Sequence, residues 1–95
     1  MAFLFSLGQV VATPGALQLL RTANLPAFSF LRRHSVGDWG DLDAADAATN
    51  TDAVKAGARI LSAYTVGSER LWVITEAVDD HGKRSSTCLL LPEEY

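Results

Sequence analysis

The chain is short of cysteine, of positive charge and of long apolar runs, and each shortage excludes a class of protein. Its single cysteine, Cys88, has no internal partner for a disulfide, which points to a reducing, cytoplasmic setting. With only two histidines, His34 and His81, the sequence also lacks the spaced Cys/His cluster of a zinc site, so no metal is expected. Eight Lys and Arg against eleven Asp and Glu leave a net charge of -3, which gives no electrostatic case for general phosphate binding. The apolar start MAFLFSLGQVVA has no basic residue ahead of it and is interrupted at Ser6 and Gly8. It falls short of the roughly 18 residues a membrane span requires and reads as an N-terminal strand, with no membrane association expected. No nucleophile elbow, P-loop or dinucleotide glycine fingerprint is present, so no cofactor and no enzyme activity are expected.

What is present suits a folded domain. Ninety-five residues, 48% hydrophobic and 20% charged, make one unit, 1–95, with a modest core. Residues 59–91 organise it. They read RILSAYTV, GS, ERLWVITEAV, DDHGKR and SSTCLLL, three strand-like runs separated by two polar turns. Gly67-Ser68 suits the two-residue loop of a tight hairpin, because glycine accepts the positive φ such turns need. That loop sets Val66 opposite Glu69, and hence Tyr64 opposite Leu71 and Ile60 opposite Thr75 on one face. Ala63 then lies opposite Trp72, Leu61 opposite Ile74 and Arg59 opposite Glu76 on the other, the last as a salt bridge. Both faces are largely apolar, so each requires a cover.

Ahead of this meander come the short apolar clusters 2–5 and 9–12 around Gly8, then three helices. Thr13 caps a helix over 14–23, with Pro14 at its first position and Leu17 and Leu20 on one apolar face. Pro26 opens a second, AFSFLRRHS, in which Ala27, Phe30, Leu31 and His34 recur at helical spacing. Arg32, Arg33 and His34 make a cationic C-terminal end, solvated and matched to the helix dipole. Asp43 caps a third, alanine-rich helix that stops at Gly57, with a break or bend expected near Asn50-Thr51. The fold class is α+β: an N-terminal strand, three short helices and a three-stranded antiparallel meander. The helices starting at Pro14 and Pro26 can cover one sheet face. The third offers mostly alanine for the second face, with the N-terminal FLF segment beside it. A face or edge left open makes a homodimer through the sheet a candidate arrangement.

Two groups of residues could form a site. Asp38, Trp39, Asp41, Asp43 and Asp46 form an acidic stretch that does not match the EF-hand ligand pattern and is a candidate protein-binding patch. Trp39, the only large residue of the GDWG loop, is expected to anchor it in the core. Arg21, Arg32 and Arg33 are the candidate contacts of an alternative, nucleic-acid-binding reading. Cys88 sits inside an apolar strand, where cysteine behaves as a small hydrophobe.

The phrases QVVATPGAL, LRRHSVGDWGDL, LSAY, LWVITEA and LLLPEEY resemble a family of small bacterial proteins carried on plasmids, integrative elements and prophages. Many of these bear the label "type I restriction endonuclease subunit M", others "plasmid-related protein". Taken literally the label does not fit this chain, because a modification methylase needs a doubly wound cofactor domain that 95 residues do not hold. The turn VDDHGKR is longer than the family's usual one, which leaves the register of strand 85–91 open. The resemblance implies a mobile-element protein. With no catalytic constellation, the expected function is a non-enzymatic interaction protein, acting on a host defence or DNA-processing component. A nucleic-acid-binding accessory protein and a small enzyme with an unrecognised site are the alternatives.

Overall fold

The computed structural model describes residues 3–95; Met1 and Ala2, the latter the first residue of the 2–5 cluster, lie outside it. Strand β1 (Gln9–Ala12) leads into α1 (Pro14–Ala23), α2 (Ala27–Ser35) and α3 (Ala44–Ala56). Strands β2 (Ile60–Val66), β3 (Glu69–Thr75) and β4 (Ser86–Leu90) follow, and a short 3-10 turn covers Pro92–Glu94. The class is α+β, as the patterning predicts.

The β2–β3 register is the one set by the hairpin loop, from Val66 opposite Glu69 to Ile60 opposite Thr75. Gly67 has φ 63° and Ser68 a negative φ, the pattern of a type II′ turn. Arg59 and Glu76 approach to 3.8 Å beyond the ladder. The sheet is larger than the meander, however. β4 pairs antiparallel with β3, Leu90 opposite Trp72, and parallel with β1, Val11 beside Cys88, giving the order β1-β4-β3-β2. The N-terminal strand is thus an edge of the same sheet and β4 is interior. Only residues 9–12 of the N-terminal segment are strand, because Gly8 turns the chain at φ 63° against the backbone of Arg84 and Ser85.

The helix ends follow the expected chemistry. Thr13 accepts a hydrogen bond from the Ala16 amide, Asp43 accepts one from the Asp46 amide, and Asn24 and Gly57 stop their helices in the left-handed conformation. Two expectations are corrected. The buried side of α1 carries Ala16 and Leu20 with Leu19 beside them, whereas Leu17 is exposed, since Ala16 lies closest to the sheet and rotates Leu17 outward. Helix α3 runs unbroken through Asn50-Thr51, because the Asn50 side chain is spent on the sheet rather than on its own backbone.

All three helices serve one face. Ala16, Leu20 and Phe30 pack on Tyr64, Val66, Leu71, Val73 and Leu89, and Trp39 and Ala53 pack on Ile60. The FLF segment joins the same side, with Phe5 against the Trp39 group and the Leu4 amide donating to the Ser35 carbonyl. The opposite face, with Leu61, Ala63, Trp72, Ile74, Cys88, Leu90 and Val11, carries no helix. The FLF segment packs on the other side, and α3 borders this face only at the β2 edge, where Asp46, Thr49 and Asn50 line a pocket with Arg59 and Leu61, so neither supplies the cover the sequence offered.

Candidate functional site

The acidic stretch is built around a loop held hard against the sheet edge. Gly40 has φ 77°, and a Cβ there would sit 2.0 Å from the Ala63 carbonyl oxygen, so only glycine permits the approach. On either side of it Ala63 donates to Trp39 O at 3.2 Å and accepts from the Asp41 amide at 2.7 Å. Trp39 is 8% exposed, stacked with Phe5 at 6.3 Å and edge-on to His34 at 6.0 Å. The indole anchors the loop as expected.

The carboxylates take separate structural partners. Asp38 accepts from Arg33 Nε at 2.7 Å and from the Gly40 amide at 3.2 Å. Its pKa is lowered chiefly by the Arg33 hydrogen bond, and that of Arg33 is raised by the same contact. The Arg33 guanidinium also lies 4.5 Å over the Tyr64 ring, whose hydroxyl donates to Asp38 O at 2.6 Å. Asp41 accepts from the Thr65 hydroxyl, Asp43 caps α3, and Asp46 stands exposed in its first turn. Among the described residues no group of three or more His, Cys, Asp or Glu could hold a metal ion. Of the candidate nucleic-acid contacts, Arg33 is committed to Asp38 and Tyr64. Arg21 and Arg32 are exposed in the last turns of α1 and α2.

His34 is not part of a solvated cationic end. It is fully buried, with Nδ1 2.6 Å from Ser62 Oγ and Nε2 2.8 Å from Thr75 Oγ1. Thr75 Oγ1 lies 2.7 Å from Thr87 Oγ1, which donates to Leu7 O at 2.7 Å. A carbonyl only accepts, so the chain of bonds has one direction. Thr87 gives its proton to Leu7 O, Thr75 gives its own to Thr87, and His34 Nε2–H gives to Thr75. Nδ1 then accepts from Ser62, which assigns the Nε2–H tautomer. Burial, with the nearby charge of Arg84, lowers the His34 pKa to about 4 and keeps the ring neutral. A serine hydroxyl beside an imidazole acceptor has the outline of an activated nucleophile, but Ser62 is fully buried and no substrate reaches it. The network joins α2, three strand segments and the N-terminal stretch.

Sequence reasoning passed over Ser62, Thr75 and Thr87. The signal was present, since strand alternation puts Ser62 and Thr75 on the face where helical spacing places His34. It also passed over Arg84, which is 6% exposed and donates to Ala58 O at 2.7 Å, Glu76 O at 2.9 Å and Ala53 O at 3.2 Å. Carbonyls at the α3 C-terminus meet a guanidinium, where the helix dipole favours positive charge. Burial lowers the Arg84 pKa.

The helix-free face has a different character. Ala63, Ile74 and Leu90 are buried there, Trp72 and Leu61 are half-buried, Val11 is 43% exposed, and Cys88 is half-buried with its thiol pKa pushed up by burial. The Pro92–Tyr95 segment reaches this face, with the Tyr95 ring edge-on to Trp72 at 5.8 Å and the Arg59 guanidinium 5.1 Å over Tyr95. No helix among the described residues is long and apolar enough to cross a membrane. No family model, curated protein or solved structure matches this chain.

Proposed function

We propose that this chain is a non-enzymatic interaction protein of a mobile genetic element, acting on a host defence or DNA-processing component, and that it binds its partner through the helix-free face of the sheet. The supporting observation is the one-sided packing: every helix and both core clusters lie on the other face. Trp72, Tyr95 and Arg59 gather there, and tryptophan, tyrosine and arginine are the side chains that most often dominate protein interfaces. The mobile-element part of the reading rests on the sequence resemblance. Self-association through the sheet belongs to the same reading, since the partly exposed Trp72, Leu61 and Val11 on one copy are presented by every copy.

The test is affinity capture from a bacterial host with the full chain, a Trp72→Lys variant and a Phe28→Lys control. Phe28 is 63% exposed on the helical side and lies outside the proposed surface. One reproducible partner, retained by Phe28→Lys and lost by a folded Trp72→Lys, supports the reading. Recovery of chaperones alone at physiological salt, or equal recovery of the partner by Trp72→Lys, overturns it.

A further inference from the structure

The two edges of the sheet are finished differently. Along β2 the outward backbone groups of Leu61 and Ala63 are occupied: Leu61 accepts from Asn50 Nδ2 at 2.6 Å and donates to Asn50 Oδ1 at 3.2 Å. Ala63 bonds the backbone of Trp39 and Asp41. Beyond β1, at the other end of the strand order, no described segment pairs. Gln9 N donates to Ser85 O and Thr13 N to Leu89 O, both at 3.0 Å, so alternation turns the amides and carbonyls of Val10 and Ala12 away from β4. The Val10 and Val11 side chains are each 43% exposed. QVVA contains no charge and no proline, the usual devices that protect an edge.

This edge is also preformed. Thr87 holds Leu7 on one side, and on the other Glu94 bridges the Thr13 hydroxyl and the Gly15 amide, the latter at 3.0 Å. A template fixed at both ends loses little freedom on pairing.

We infer that β1 is a self-pairing edge: a second copy of this chain adds its own β1 antiparallel, about a two-fold axis through Val11, and joins the two four-stranded sheets into one. The stops select the occupant. The template runs only from the turn at Gly8 to Pro14, which has no N–H, so a long foreign strand would overrun it, whereas a second β1 has the same length and the same stops. Pairing about Val11 sets Val10 opposite the partner's Ala12 and Ala12 opposite the partner's Val10, and each pair exchanges two N–H···O=C bonds. No like charges meet at the axis. Val11 faces its own copy as a non-hydrogen-bonded pair, the closer kind. The pairing runs through the β1 backbone edge, two strands away from Trp72 on β3, so either proposal can fail while the other stands.

The register can be trapped. Val11 lies beside Cys88 on β4, so Val11→Cys is made in a Cys88→Ser chain to remove the internal competitor, and Val10→Cys in the same background is the comparison. Under mild oxidation of the full chain, Val11→Cys should form a disulfide-linked dimer roughly tenfold more readily than Val10→Cys, because only the former brings two Cβ atoms within bridging range. Light scattering of the unmodified chain up to about 100 µM should show a mass that rises with concentration, and Val11→Lys should return it to the monomer. A chain monomeric throughout, equal trapping at both positions, or a dimer indifferent to Val11→Lys overturns the inference. So does a monomer whose Val11→Cys thiol is trapped only by other proteins, which would assign the edge to a foreign strand.

Discussion

Acid should weaken this protein well before its carboxylates protonate, and the size of the effect follows from His34. The ring is fully buried and neutral, with a pKa of about 4 in the folded chain against an ordinary 6.5. A base whose pKa is lowered on folding leaves the unfolded chain holding the extra proton between those two values. Stability is therefore full above about pH 6.5 and falls steadily as the pH drops toward about 4. The interval corresponds to about 3 kcal/mol, a large share of the roughly 5–15 kcal/mol that a domain has in total. Asp38 acts in a lower window. Its carboxylate pKa, lowered from 3.8 by Arg33, contributes stability that is present above that value and lost below it. Urea unfolding at steps from about pH 7 to 4.5 therefore isolates the histidine. The expected result is a progressive loss of about 2–3 kcal/mol in the unmodified chain. His34→Gln, which retains a donor and an acceptor but does not titrate, should be less stable at neutral pH and show a flatter profile. A flat profile in the unmodified chain down to about pH 5, or the same slope in His34→Gln, would refute the reasoning.

Three further substitutions test the packing. Trp39→Ala should cost on the order of 3 kcal/mol by urea unfolding, as truncation of a large buried aromatic does, and a loss below about 0.5 kcal/mol would mean that the indole does not hold the loop. Asn50→Ala leaves the Leu61 amide and carbonyl without their side-chain partners and should cost about 1–3 kcal/mol. Faster hydrogen exchange at the Leu61 amide is the accompanying sign, and unchanged protection there counts against the edge-sealing role. Arg84→Met keeps much of the side-chain volume but removes three bonds to carbonyls, so thermal unfolding should show a loss of at least about 2 kcal/mol, with no loss if the guanidinium is dispensable.

Much of the fold could be read in the chain because its signals are local. Gly67-Ser68 fixes a hairpin register, and Thr13-Pro14, Asn24, Asp43 and Gly57 mark helix ends within a turn of themselves. What escaped depends on partners distant in sequence. The parallel pairing of β1 with β4 leaves no mark in either segment, and the placement of Leu17 outside depends on which side of α1 meets the sheet. The assignment of all helices to one face is likewise a tertiary outcome. Of the candidate residues, Trp39 could be located from its loop. The fate of the neighbouring carboxylates could not, since Arg33, Thr65 and the α3 amides reach them only after folding. His34 looked like part of a cationic helix end because sequence spacing gives its face but not the hydroxyls that wait there.

The parallel pairing also sets an order of events during synthesis. The β2–β3 hairpin closes over a two-residue turn and can form as soon as those residues emerge. Strand β1 has no neighbour until β4 has been made, and the bond from Thr87 to Leu7 spans 80 residues of chain. Closing so long a loop is slow, so β1 stays unpaired until Ser86–Leu90 has been made. Through that interval Val10 and Val11 are open to any chaperone or nascent neighbour, and completion of the sheet waits on β4. A chain cut short before Ser86 would keep its hairpin but leave β1 without the strand that holds it.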